Sequence, residues 1–123
     1  LANFVIKSLK REFPDLLKDK TIGILGMSFK ANLDDPRDSL SYKLRKMAHL
    51  ECKKVLCTDV YINDPSFVAL EDLLRESDII ILATPHSDYE SIDPKKYPEK
   101  KFVDVWNFWG LSEGSSGSSV FAA

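Results

Sequence analysis

The stretch from Thr21 to Ser39, TIGILGMSFKANLDDPRDS, concentrates the side chains best suited to holding an anion. Lys30 and Arg37 supply positive charge, Asp34 and Asp35 stand between them, and Pro36-Arg37-Asp38-Ser39 opens an amphipathic helix. Backbone N–H groups at a helix start favour anions, and ammonium and guanidinium groups complement them. The stretch therefore reads as a cradle for a phosphate-bearing ligand. Gly23 and Gly26 do not complete G-x-G-x-x-G, and no G-x-x-x-x-G-K-[ST] occurs, so neither a dinucleotide fingerprint nor a P-loop explains it. Gly26 reads instead as a residue that permits a tight turn or a close backbone approach.

Strands and helices on either side of this stretch would hold these groups in place. Ile22-Gly23-Ile24-Leu25 is a short apolar run of the kind that forms a buried parallel strand. Similar runs recur at Lys54–Val60, at Ile79–Thr84 and at Lys101–Trp106. Between them lie helical patterns: Leu40, Leu44, Met47 and Leu50 on one stripe, and Phe67, Leu70, Leu73 and Leu74 within Pro65–Ser77. Asp38 or Ser39 suits the N-cap of the first, and Asp78 caps or turns the second. Residues 1–13 carry a helical pattern without a preceding cap, ended or bent by Pro14, and only a weak helical turn is expected near Tyr89 to Ile92.

Strands alternating with helices predict an α/β fold with three Rossmann-like layers and a mainly parallel sheet of about four or five strands, preceded by part of a long helix. Such a sheet gathers its strand ends at one edge, where ligands bind. Gly26 to Lys30, Thr84 to His86 and Asp104 to Asn107 are expected there, with Asp59 near the end of the second strand.

Length and composition bound the function classes. At 123 residues, the chain is most economically one domain with a real core. A formal charge of −2 gives no general drive toward nucleic acid or an anionic membrane, so any anion site is local. No apolar run approaches a membrane span, and no signal peptide is apparent. Cys52 and Cys57 lack a second ligand pair, so no metal site is predicted, and two reduced, partly buried thiols fit a cytoplasmic protein. Residues 112–123, SEGSSGSSVFAA, have the composition of a flexible tail.

The segment G-M-S-F-K-A-N-L-D-D-P-R-D-S resembles the opening of the C-terminal, UDP-sugar-binding domain of the UDP-glucose, UDP-N-acetylhexosamine and GDP-mannose 6-dehydrogenases, where the pattern is close to G-x-x-F-K-x-x-x-x-D-x-R-x-S. Several uncommon positions agree at one spacing, and a weaker likeness continues to about Gly110. The resemblance implies that Phe29, Lys30 and Asn107 contact a UDP-sugar, and that Arg37 reaches NAD held mainly by an N-terminal domain outside this chain. It implies two-step oxidation of the sugar C6 alcohol to a carboxylate, through a thiohemiacetal and a thioester on a cysteine. That cysteine belongs to the family's central region, and neither Cys52 nor Cys57 has a matching context. No catalytic residue is thus assigned here, and the chain alone is expected to be inactive. The family's organisation implies residues 1–19 as the tail of an inter-domain helix, residues 20–111 as the UDP-sugar-binding domain, and a homodimer at full length; a surface helix of this domain fits residues 1–13 equally.

Two departures stand out. His86 follows Thr84-Pro85 where glucose-type members often carry Glu-Trp, which tilts the substrate toward an N-acetylhexosamine. Trp106 replaces an arginine before Asn107, and it and Trp109 suit packing. A lone histidine such as His86 is more often a loop residue than a catalyst, and Thr84 can bond a phosphate or its own backbone. Two other classes fit the bare pattern: a receiver-like signalling module phosphorylated on Asp59, and an assembly domain that binds no nucleotide.

Overall fold

Ile79-Ile80-Ile81-Leu82 is apolar at every position, and a strand apolar on both faces must be covered on both. The computed structural model, which describes residues 2–27 and 40–104, shows that cover. The strands are β1 (Thr21–Leu25), β2 (Lys54–Thr58), β3 (Ile79–Leu82) and β4 (Lys101–Asp104). All pair in parallel, in the order β2-β1-β3-β4. Ile22, Ile24, Ile79, Ile81 and Val103 face α1 (Ala2–Glu12) and α2 (Leu40–Glu51). Leu25, Ile80, Leu82 and Phe102 face the other way, onto α3 (Leu70–Glu76) and the 3-10 turn Ser87–Ser91. The expected three-layer α/β architecture is therefore present, with the period-two alternation sorting side chains into two cores.

Val5 and Leu9 of α1 are fully buried against α2 and the sheet. Each contributes about 1.5–3 kcal/mol through burial. At the end of α1, Glu12 accepts from the buried ammonium of Lys101 at 2.9 Å, tying the helix to the start of β4. Lys100 Nζ donates to the carbonyls of Arg75 and Ser77, which end α3.

Several boundaries differ from the sequence expectation, each for a local reason. β2 stops at Thr58 instead of Val60, because the Asp59 carboxylate takes the N–H groups of Tyr61 and Ile62 and folds the chain into a turn. α3 begins at Leu70, not Pro65, because Asp64 captures both the N–H and the hydroxyl of Ser66. β3 ends at Leu82 because Ala83 N and Thr84 N both turn back to Leu25 O. Asp78 does not cap α3; its carboxylate accepts from Thr21 N at 2.9 Å and ties the start of β3 to that of β1. The turn near Tyr89 is a 3-10 segment over Ser87–Ser91, and a second one, Pro94–Lys96, has its N-cap in Asp93. Both thiols are free; Cys57 is buried, and burial pushes its pKa up to about 11, so it packs as an inert apolar group.

Gly23 decides how closely α3 approaches the sheet. A Cβ there would lie 2.3 Å from Ser77 Oγ and 2.6 Å from Leu73 Cδ2. Gly23→Ala is expected to lose about 1–3 kcal/mol as α3 is pushed outward. Urea denaturation checks this, and an unchanged midpoint would mean that the helix backs away without penalty.

Candidate functional site at the carboxyl rim of the sheet

The chain runs from β1 outward to β2, then crosses back to β3 on the other side of β1. Loops leaving β1 and β3 therefore diverge, and an open α/β sheet binds its ligand in the crevice at that point. Gly26 lies at its floor with φ +89°, a left-handed conformation that favours glycine. Its own N–H donates to Thr58 O at 2.9 Å. Its carbonyl accepts from the Ser41 hydroxyl in the first described turn of α2. Thr84 Oγ1 lies 3.3 Å from Ser41 Oγ, so one hydroxyl pair joins the loops after β1 and β3 to the start of α2.

One carboxylate organises the rest of the rim. Asp59 Oδ2 accepts from Met27 N at 2.5 Å and from His86 Nε2 at 3.0 Å. Its Oδ1 accepts from Tyr61 N at 2.7 Å and from Ile62 N at 2.9 Å. The side chains of Asp59 and His86 are both fully buried. Burial pushes the Asp59 pKa up, but the bonds from His86 and from the N–H groups of Met27, Ile62 and Tyr61 outweigh it and hold the carboxyl well below the usual range. An ionised carboxylate only accepts, so His86 Nε2 carries a proton. The imidazole meets Tyr61 edge-on, with centroids 4.9 Å apart, and Tyr89 at 5.7 Å. Burial raises the Tyr89 phenol far above its ordinary pKa, so it stays neutral.

The expected rim residues divide into two groups. Gly26, Asp59, Thr84, His86 and Asp104 stand together at the carboxyl edge, and Thr84 and Asp104 are buried there. Thr84 directs its hydroxyl to Ser41. Phe29, Lys30, Asn107 and Arg37, together with Asp34, Asp35, Trp106 and Trp109, lie outside the described residues. The segment carrying Lys30 and Arg37 leaves the described chain after Met27 and rejoins it at Leu40. Gly26 and Ser41, on either side of it, are in hydrogen-bond contact.

His86 occupies a loop as expected, but one closed over its ring. Asp59 is the site residue that sequence reasoning undervalued; its signal was an acid at the end of an otherwise apolar strand. A receiver would need that acid open to a phosphodonor. Here the side chain is fully buried and takes four donors, which does not suit a phosphoacceptor. Among the described residues, no group of three His, Cys, Asp or Glu could hold a metal ion, and no helix is long and apolar enough to cross a membrane.

Residues 23–110 match the UDP-binding domain of the UDP-glucose/GDP-mannose dehydrogenase family. The chain belongs to that family. This UDP-binding domain is 34% identical over 100 residues to YtcA of Bacillus subtilis, named for UDP-glucose 6-dehydrogenase, covering 70% of the chain and 22% of the relative. It is 30% identical over 95 residues to the UDP-N-acetyl-D-mannosamine dehydrogenase of Methanocaldococcus jannaschii, covering 73% and 21%. In fold it is similar to a solved UDP-D-ManNAc dehydrogenase of Pyrococcus horikoshii, with a TM-score of 0.79 at 22% identity over 97% of this chain and 29% of that one. The chain thus spans about a fifth of the length of these curated relatives.

Proposed function

We propose that this chain is the UDP-sugar-binding part of an NAD-dependent nucleotide-sugar 6-dehydrogenase, and that it supplies one wall of the cleft in which sugar C6 meets the nicotinamide. The observation that carries this reading is the family match over residues 23–110, which spans the crevice and the segment bearing Lys30 and Arg37. Lys30 and Phe29 hold the diphosphate and nucleoside, with Asn107 at the neighbouring strand end. Both bind and orient; excluding water and aligning the sugar require the remainder of the enzyme.

NAD supplies the hydride acceptor when bound, but the described residues do not fit it as a resident group. Dinucleotide folds place a ribose-binding acid at the end of the second strand. Here that position is Asp59, whose oxygens already take four donors. The space that a Cβ at Gly26 would need is filled by Thr84, so this glycine serves packing and not an approach to pyrophosphate. The cofactor is accordingly held by a domain outside this chain, with Arg37 as the residue that reaches across to it. Residues 1–19, of which Ala2–Glu12 are helical, carry the end of an inter-domain helix, with residues 20–111 as the binding domain and residues 112–123 as a tail. The whole enzyme is a cytoplasmic homodimer that produces uronic acid units for polysaccharide synthesis.

Calorimetric titration with UDP tests the reading. Measurable binding is expected for the chain, weakened about tenfold or more in Lys30→Ala, the usual result of losing a charge-assisted phosphate contact. A titration without heat at millimolar UDP would favour the assembly role.

A further inference from the structure

The two layers that cover the sheet differ in charge. Helices α1 and α2 together carry six lysines and arginines against two glutamates, a formal balance of +4. On the other side, α3 and the turn Ser87–Ser91 carry five acids against one arginine, a balance of −4. Each layer also bears an apolar feature toward the amino ends of the strands, away from the ligand crevice. Leu50 lies in the last turn of α2, before β2. The helical pattern assigns it to the buried stripe, yet it is 83% exposed, more than any other large apolar side chain of the described residues. Lys43 and Lys46 precede it by seven and four residues and so share its face of the helix. On the acidic layer, a shallow cavity of about 370 Å³ is lined by Leu74 and Tyr97 together with Glu71, Arg75, Glu99 and Lys100. The cations there are committed: Arg75 to Asp72 and Glu76, and Lys100 to the carbonyls of Arg75 and Ser77. Among the described residues, Lys46, Glu71 and Glu99 enter no ion pair.

We propose that copies of this chain associate head to tail, with Leu50 of one entering the Leu74–Tyr97 cavity of the next and the free lysines of α2 facing the free glutamates beside that cavity. The contact is heterologous. It uses different surfaces on the two copies, so each can hold a neighbour on either side. A two-fold contact through α2 would instead set like charges against each other. One side chain in one shallow cavity makes an interface of the small, transient class, assisted by fields of opposite sign. Both surfaces lie away from the carboxyl rim, so the inference does not depend on what that rim binds.

Sedimentation velocity of the full chain, over a range of protein concentrations, tests this. In about 20 mM NaCl the average mass is expected to climb above that of the monomer as the protein approaches about 1 mM, and about 0.5 M NaCl is expected to weaken association at least tenfold. Leu50→Glu and Glu71→Lys each alter an exposed side chain, so the fold and its urea midpoint are retained. Each variant alone is expected to associate at least about tenfold more weakly than the parent. Their equimolar mixture is decisive. Leu50→Glu keeps the cavity and Glu71→Lys keeps the leucine, so the mixture is expected to form one-to-one pairs that grow no further. A parent that stays monomeric at low salt, or a mixture without pairs, would overturn the proposal. Association lost in Leu50→Glu but kept in Glu71→Lys would overturn it as well, because α2 would then be meeting something other than the acidic cavity.

Discussion

An Asp59→Ala variant is expected to lose about 3–5 kcal/mol of stability, a large fraction of the roughly 5–15 kcal/mol that a domain possesses. The substitution removes one acceptor group and leaves four donors facing the gap: His86 Nε2 and the N–H groups of Met27, Tyr61 and Ile62. Water entering the space recovers part of the loss, but the Asp59 and His86 side chains are both fully buried. Urea denaturation measures the difference, and a loss below about 1 kcal/mol would show that the rim holds together without its carboxylate. The same group predicts a pH dependence. The hydrogen bonds that outweigh burial keep the Asp59 pKa in the folded state below its unfolded value. Its contribution is therefore fully present above about pH 4 and is lost progressively as the pH falls toward the folded pKa, because the unfolded chain takes the proton first. Asp59→Asn should flatten the acid limb of the stability profile between about pH 4 and pH 2. A limb of unchanged slope would assign acid unfolding to other carboxylates.

Gly26→Ala is the second large effect, expected at about 3 kcal/mol or more. Two independent penalties add here. A φ of +89° strains any L side chain. The new methyl would also lie 2.5 Å from Thr84 Cβ and 2.6 Å from Thr84 O, and the second of these is main chain that cannot rotate away. Either the loop after β3 moves or β1 turns at its end, and both disturb the contact between Thr84 and Ser41. A fall in Tm on the order of 10–20 °C is expected by calorimetry, with UDP binding lost in whatever fraction remains folded. A shift under about 4 °C would mean that the rim yields freely.

How far the fold could be read ahead of the structure depended on the kind of signal. Apolar runs such as Ile79–Leu82 place strands because a two-sided burial pattern survives any local detail. Ends of elements were harder. They are set at β2 and α3 by single acids, Asp59 and Asp64, that bond to N–H groups two or three residues on. Such turns leave almost no trace in a hydrophobicity pattern. The pairing of Asp59 with His86 spans 27 residues and two strands, so only the strand order brings the two together. Lys101 illustrates the same limit. In sequence it is one of two adjacent lysines, and only the packing of α1 sets it apart as the buried one. The positions around Lys30 and Arg37 are contiguous in sequence, which is why the family pattern is readable there, but they lie outside the described residues.

The central place of β1 also bears on how the molecule is made. During synthesis β1 emerges before β2 and β3, yet it lies between them and bonds to both. No two strands adjacent in the sheet are joined by a tight hairpin, so early local pairing has little to offer and loop closure must precede reward. Until residues through about Leu82 have left the ribosome, the most apolar strand edges stay unmatched. Slow, late and nearly all-or-none acquisition of structure follows, with a window in which nascent chains are open to chaperones or to one another.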